Sequence, residues 1–166
     1  MSPSIENRKG PLTVGAGGSK MKNPPAKKIL FICTHNSARS HMAEGFVNAL
    51  YSDRYNAFSA GTEPSTVSPY AVRVMREIGI DISDHRSKSV DEFLDQDLDY
   101  VVTVCDHAKE VCPFFPGGRK AIHKGFVDPA STGTEQEKLA LFRRVRDEIR
   151  DWVEKSFGNE IFTEPS

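Results

Sequence analysis

A short apolar run, Ile29-Leu30-Phe31-Ile32, stops at Cys33, and five small or polar residues then lead to Arg39 and Ser40, where a helical pattern of Met42, Ala43, Phe46, Val47 and Leu50 begins. Counted from Lys28, the run has the length and composition of a buried strand. The order is strand, tight loop, helix. A loop of this kind directs several backbone N–H groups at one point, at the positive end of a helix. The stretch therefore reads as an oxyanion cradle with a thiol at its base.

The residue types suit that chemistry. A cysteine is a nucleophile as its thiolate, which a helix N-terminus and a nearby cation favour. Arg39 offers a planar fork that meets a tetrahedral oxyanion with two parallel hydrogen bonds. Ser40 can donate its hydroxyl to the sulfur, and Asn36 can brace the loop because asparagine tolerates left-handed backbone. Thr34, His35, Asn36, Ser37, Ala38 and Arg39 make up the anion loop. The bland alternative is a structural cysteine closing a core strand, with Arg39 as a solvated charge. The complete strand–loop–helix context favours the cradle.

A chain of 166 residues is long enough for one domain with a real core. A hydrophobic share of 38% with a net charge of −1 argues against a nucleic-acid or membrane surface as partner. No apolar run approaches the ~20 residues of a spanning helix, and the N-terminus lacks the apolar stretch of a secretory signal. Three cysteines are an odd count for a closed set of structural disulfides. A cytoplasmic monomer with reactive thiols and no cofactor is the expectation.

Residues 1–27, rich in Gly, Pro, Ser and Lys, are expected to be a disordered leader or an expression appendage, with Met21 as a possible second start. Residues 28–157 are expected to form a single α/β domain and 158–166 a loose tail. Tyr55–Ser59 reads as a second strand and Ala60–Pro64 as loop. Ser68-Pro69 starts a helix, with Val72, Met75 and Ile78 as its buried stripe, Val74 beside it and Gly79 as its stop. A polar connection, 80–88, leads to a helical turn at Val90–Leu94. Tyr100–Val104 is β-branched and strand-like and runs into Cys105; Asp106–Val111 reads as a short helix before Cys112-Pro113. After the turn at Pro116-Gly117-Gly118, Lys120–His123 is a weak fourth strand and 125–130 a loop. Thr134 and Glu137 form a capping box. The last helix carries Leu139, Phe142, Val145, Ile149, Trp152 and Val153 on one side, with Arg143, Arg144, Arg146 and Arg150 facing out, and ends by Gly158. Strands alternating with helices imply a three-layer fold, a four-stranded parallel sheet flanked by helices, with sites beyond the carboxyl ends of the strands. Cys33 and Cys105 both fall at such ends.

Across a helical 106–111 segment the α-carbons of Cys105 and Cys112 would stand roughly 10 Å apart, beyond the ~7 Å limit for a disulfide. They could bridge only if the helix unwinds; two buried thiols or a metal pair are the alternatives. Close-spaced ligand pairs are lacking, so no metal site is expected, and His107 and His123 are taken for surface or core histidines. Asp128-Pro129 is either a turn signal or an acid that protonates a departing oxygen.

The motif Cys33-Thr-His-Asn-Ser-Ala-Arg39-Ser40, followed by His41-Met-Ala-Glu44-Gly45, resembles the active-site loop of the low-molecular-weight tyrosine phosphatase fold. Val104-Cys105, Cys112-Pro113 and Gly125-Phe126-Val127-Asp128-Pro129-Ala130 resemble the thioredoxin-coupled arsenate reductases built on that fold, as do Ser59–Glu63 and Ile80–His85. The likeness spans about 27–157. It implies that Cys33 attacks arsenate held by the loop amides and Arg39, that Asp128 protonates the departing oxygen, that Cys105 attacks the Cys33–arsenic adduct, and that Cys112 resolves the resulting disulfide for thioredoxin to reduce. Glutaredoxin or a low-molecular-weight thiol is the alternative reductant. Family members often carry Gly where His35 stands and a fourth cysteine where Ala38 stands. Some bind potassium through positions matching Asn36, Glu44 and Ser59, but their further acidic ligand is Lys88 here. The rival expectations are a tyrosine phosphatase using Cys33, Arg39 and Asp128, and a non-enzymatic redox or oxyanion sensor. Against the phosphatase, no tyrosine follows Asp128-Pro129.

Overall fold

The computed structural model describes residues 25–130 and 133–158. The expected leader, up to residue 24, and the tail from 159 lie outside the described residues. Four parallel strands, β1 (Lys27–Cys33), β2 (Tyr55–Gly61), β3 (Leu98–Thr103) and β4 (Gly118–His123), make one sheet in the order β2-β1-β3-β4. The helices are α1 (Arg39–Leu50), α2 (Pro69–Arg76), α3 (Asp106–Val111) and α4 (Glu135–Val153), with a 3₁₀ turn at Val90–Phe93 and a π turn at Glu154–Gly158.

β1 is central, and Ile29, Leu30, Phe31 and Ile32 are all fully buried. A strand covered on both faces reads as an unbroken apolar run rather than an alternating one, which explains its sequence. The register pairs Cys33 with Gly61 and Ile32 with Thr103. The carboxyl ends of three strands thus finish level, and the loops that follow them converge on Cys33.

Several boundaries differ from the sequence expectation. β2 runs through Ala60 and Gly61, expected as loop, because its pairing with β1 continues to Cys33. β3 starts at Leu98 and stops at Thr103, and β4 starts at Gly118. In α2 the buried side is Ala71, Val74 and Met75, while Val72 and Ile78 are half-buried. The i, i+3, i+4 rule selects that face, and Gly79 at φ 85° ends it in left-handed backbone. The capping box of Thr134 and Glu137 forms, and Leu139, Phe142, Val145, Ile149 and Val153 are buried as expected. Trp152 is half-buried, and its ring meets Phe157 of the π turn at 5.7 Å. The chain therefore turns inward past Val153: Phe157 is fully buried, edge-on to Phe31, Tyr55 and Tyr100.

Arg146 is the clearest departure. It was expected on the outer face, yet it is buried, and its guanidinium donates to the Val74 carbonyl (2.9 Å), Glu77 (3.0 Å) and Asp147 (2.8 Å). The apolar stem allows a charged residue to sit on a packed face when its head is fully bonded. Arg143 joins it on Glu77 at 2.7 Å, so α4 is clamped to the end of α2. The two guanidinium groups, Arg143 first, hold the Glu77 carboxyl down to about 2. A depressed carboxylate contributes stability above its unfolded value, and that contribution is lost as pH falls toward the folded one. Glu77→Gln is therefore expected to cost about 1 kcal/mol at pH 7, scaled for partial exposure. The difference from the parent should shrink as pH falls from about 4.5 to about 2. Chemical denaturation at a series of pH values checks this.

Candidate active site

The loop from Thr34 to Ala38 is held from outside by its carbonyls. Those of Thr34, His35 and Ser37 accept from the amides of Glu63, Ser65 and Ser68 at 2.7, 3.1 and 2.8 Å. In a trans peptide the N–H lies opposite the C=O. Tying those carbonyls outward turns the N–H groups of His35, Asn36 and Ala38 to the loop's inner side. Asn36 takes φ 49°, the left-handed turn that lets successive amides converge. Gly61 allows this close approach: a Cβ there would lie 2.7 Å from the Thr34 oxygen and 2.9 Å from the Asn36 nitrogen.

Cys33 is buried, with its Sγ 3.0 Å from Ser40 Oγ. The Asn36 amide donates to Ser40 Oγ at 2.9 Å, and Asn36 Oδ1 accepts from the Lys88 amide at 2.9 Å. With its oxygen accepting from Asn36, Ser40 is free to turn its own proton to the sulfur. The roles expected of Ser40 and Asn36 thus meet in one chain of bonds. Arg39 donates to the Phe126 carbonyl at 3.0 Å and stands 3.8 Å from Asp128. The 125–130 loop is thereby brought over the cradle, although Asp128 itself is exposed. A cleft of about 430 Å³ opens here, lined by Cys33, Ala38, Arg39, Tyr70 and Asp128.

Cys105 follows β3, is buried, and meets Thr34 Oγ1 at 3.3 Å. It lines a second cleft of about 460 Å³ that shares Arg39 and Asp128 with the first. Two of the three cysteines are therefore assembled around the same loop. Cys112 is not with them: it lies half-buried at the far end of α3, its thiol on the Pro113 carbonyl at 3.5 Å. Burial pushes that thiol up, favouring its protonated form. All three cysteines are free. α3 is helical throughout Asp106–Val111, so the whole length of the turn separates Cys105 from Cys112, both of them in extended backbone at its ends. His35 is exposed, bonds the Glu63 carbonyl through Nδ1 at 3.1 Å, and lines both clefts. His107, exposed, lines the second cleft beside Cys105 with Nε2 3.7 Å from Glu63, whereas His123 is held by Thr103 and Asp106, both at 2.8 Å.

Behind the loop lies a group of which the sequence singled out Glu44 and Ser59, as positions matching a potassium site of some family members, but not the two histidines as partners. His41 is fully buried, with Nε2 on the Asn36 carbonyl at 3.0 Å and Nδ1 3.0 Å from His85 Nδ1. Glu44 accepts from Ser59 Oγ at 2.6 Å. Burial pushes the Glu44 carboxyl up, but His41, the charges of His85 and Lys88, and the Ser59 hydroxyl outweigh it and hold it below the usual range. Burial also pushes the His85 imidazole and the Lys88 ammonium down. The spacing of His41 and Glu44 on one helical face was legible; the arrival of His85 from the 80–88 connection was not.

The profile of the family described as low molecular weight phosphotyrosine protein phosphatase matches residues 28–164. The chain is similar to an arsenate reductase of Halalkalibacterium halodurans, 52% identical over 124 residues, covering 74% of this chain and 89% of that one. Among solved structures it resembles an arsenate reductase in its phosphate-binding state, with TM-score 0.70, 33% identity, and coverage of 80% of this chain and 98% of that one. A low molecular weight protein tyrosine phosphatase from T. tengcongensis superposes nearly as well, with TM-score 0.68 and 29% identity over 81% of this chain and 99% of its own. The four-stranded parallel α/β architecture is thus common to relatives of both names.

Proposed function

The chain belongs to the low molecular weight phosphotyrosine protein phosphatase family, and within it we infer an arsenate reductase. The observation that carries this is Cys105: a second thiol stands beside the anion loop, where phosphoryl transfer alone has no use for one. In the sequence we propose, arsenate sits against the loop amides and the Arg39 fork. The Cys33 thiolate attacks arsenic, and Asp128 gives a proton to the oxygen that leaves. The Cys105 thiolate then attacks the Cys33 sulfur. The S–As bond breaks, its electron pair goes to arsenic, and arsenite departs, leaving a Cys33–Cys105 disulfide. Cys112 attacks Cys105, frees Cys33, and forms a Cys105–Cys112 disulfide, which an external dithiol reduces. We take that dithiol to be thioredoxin, with glutaredoxin or a low-molecular-weight thiol as the other candidates. Among the described residues no helix is long and apolar enough to cross a membrane.

Coupling to thioredoxin and its reductase tests the assignment: NADPH should be oxidised only when arsenate is added. Brisk hydrolysis of an aryl phosphate with no arsenate-dependent oxidation would favour the phosphatase, and no turnover in either assay the sensor. Slow ester hydrolysis beside arsenate turnover is compatible with the same loop, since the two oxyanions share charge and shape. Cys112→Ser should release about one equivalent of arsenite per chain and then stop. The first two thiols complete one turnover, but no disulfide accessible to thioredoxin forms. Continued recycling of that variant by thioredoxin would refute the order of transfer.

A further inference from the structure

We propose that His41, Glu44 and His85 form a binding site for a divalent first-row transition metal ion, best suited to Zn²⁺, seated behind the anion loop. This departs from the expectation of no metal site, and it is independent of the arsenate assignment. His41 Nδ1, Glu44 Oε1 and His85 Nδ1 form a triangle with edges of 3.0, 3.6 and 3.5 Å. A tetrahedral ion with bonds of about 2.0–2.1 Å has ligand–ligand edges of about 3.4 Å. The three atoms are therefore already spaced to share one ion, and two imidazoles with one carboxylate are a donor set that zinc accepts.

The surroundings fix the donors. A carbonyl only accepts, so the 3.0 Å contact between His41 Nε2 and the Asn36 oxygen places the ring proton on Nε2. With Nε2 so occupied, Nδ1 is the nitrogen that faces Glu44 and His85 and is available to an ion, the arrangement that a carbonyl partner imposes on a metal-bound histidine. Ser59 Oγ, 2.6 Å from Glu44 and 3.2 Å from His41 Nδ1, orients the carboxylate and lies against two of the three ligand atoms. Without metal, the close nitrogens need one proton between them. On binding, the ion takes that place and neutral His85 keeps a proton on Nε2 instead. The Lys88 ammonium, bonded to the Arg86 carbonyl at 3.2 Å, is the competing positive charge near Glu44.

The ligands come from separate elements. His41 and Glu44 belong to α1, and His85 to the connection after α2, with Ser59 on β2. A bound ion would tie that connection to α1. It would also steady Asn36 through His41, and through Asn36 the Ser40 hydroxyl that faces Cys33.

Titration of the full chain with Co²⁺ tests the site, because tetrahedral cobalt gives strong visible bands and a sulfur ligand adds a separate charge-transfer band. One ion per chain is expected, with the visible bands and no sulfur band, unchanged in Cys33→Ala. His85→Asn, at a partly exposed position, and Glu44→Gln, a near-isostere, should each weaken binding at least tenfold. Zn²⁺ should raise the thermal midpoint of the parent and not of either variant. No saturable binding, a sulfur band, or unchanged affinity in both ligand variants would overturn the proposal.

Discussion

Cys33→Ser is expected to abolish arsenate reduction and phosphate-ester hydrolysis together, by a factor on the order of 10⁶, the scale on which covalent nucleophiles are lost. In the proposed mechanism both reactions begin with the same sulfur, so the change would spare neither. The substitution is nearly isosteric at a buried position, and the serine hydroxyl retains Ser40 as a hydrogen-bond partner at about the same place. The thermal midpoint should move by no more than a few degrees, which separates lost chemistry from lost fold. Oxyanion binding should survive in part, because the amides and Arg39 are untouched; retention of arsenate measured by calorimetry checks that. Persistence of either activity in the purified variant would remove Cys33 from the centre of the site.

Gly61→Ala is expected to damage the loop from beneath. The added carbon would press on the Thr34 oxygen at 2.7 Å and on the Asn36 nitrogen at 2.9 Å, both main-chain atoms that cannot swing aside. Overpacking of this kind costs about 1–3 kcal/mol, and a displacement near 1 Å in a catalytic loop costs about 10²-fold in rate. The control is Gly79→Ala. There the left-handed φ of 85° makes alanine strained, but open space surrounds the new carbon. It should lose about 1 kcal/mol of stability and leave kcat/KM unchanged. If Gly61→Ala retained full activity, the contact of β2 with the loop would not be what shapes the cradle.

The parts of the molecule legible in the sequence are those governed by local rules. The unbroken apolar run of β1, the Ser68-Pro69 start of α2, the capping box of α4 and the strand–loop–helix around Cys33 all declare themselves through neighbours in the chain. Cys105 could be placed beside the cradle because parallel strands end on one side. What escaped depends on distant partners. Arg146 is outward by composition, and besides its neighbour Asp147 it takes Glu77 and the Val74 carbonyl, about seventy residues away, to make its burial tolerable. The extension of β2 to Gly61 is set by pairing with β1, not by its own residues. His41 looks like any histidine on a helix until His85 is folded against it.

α3 has six residues, no side-chain cap at its start, and cysteines at both borders. So short a helix has almost no stability of its own, since nucleation consumes what a single turn returns. Closing Cys105 onto Cys112 therefore demands melting of this turn alone, with the ladder of β1, β3 and β4 left intact. The reductant would meet a slack, extended tether, with Phe114, already 83% exposed, beside the bond to be cut. Catalysis on the rigid side of the molecule and recharging on the pliant side would then run at separately adjustable speeds: stiffening the turn, for example with a capping residue or better helix formers, should slow the second without touching the first.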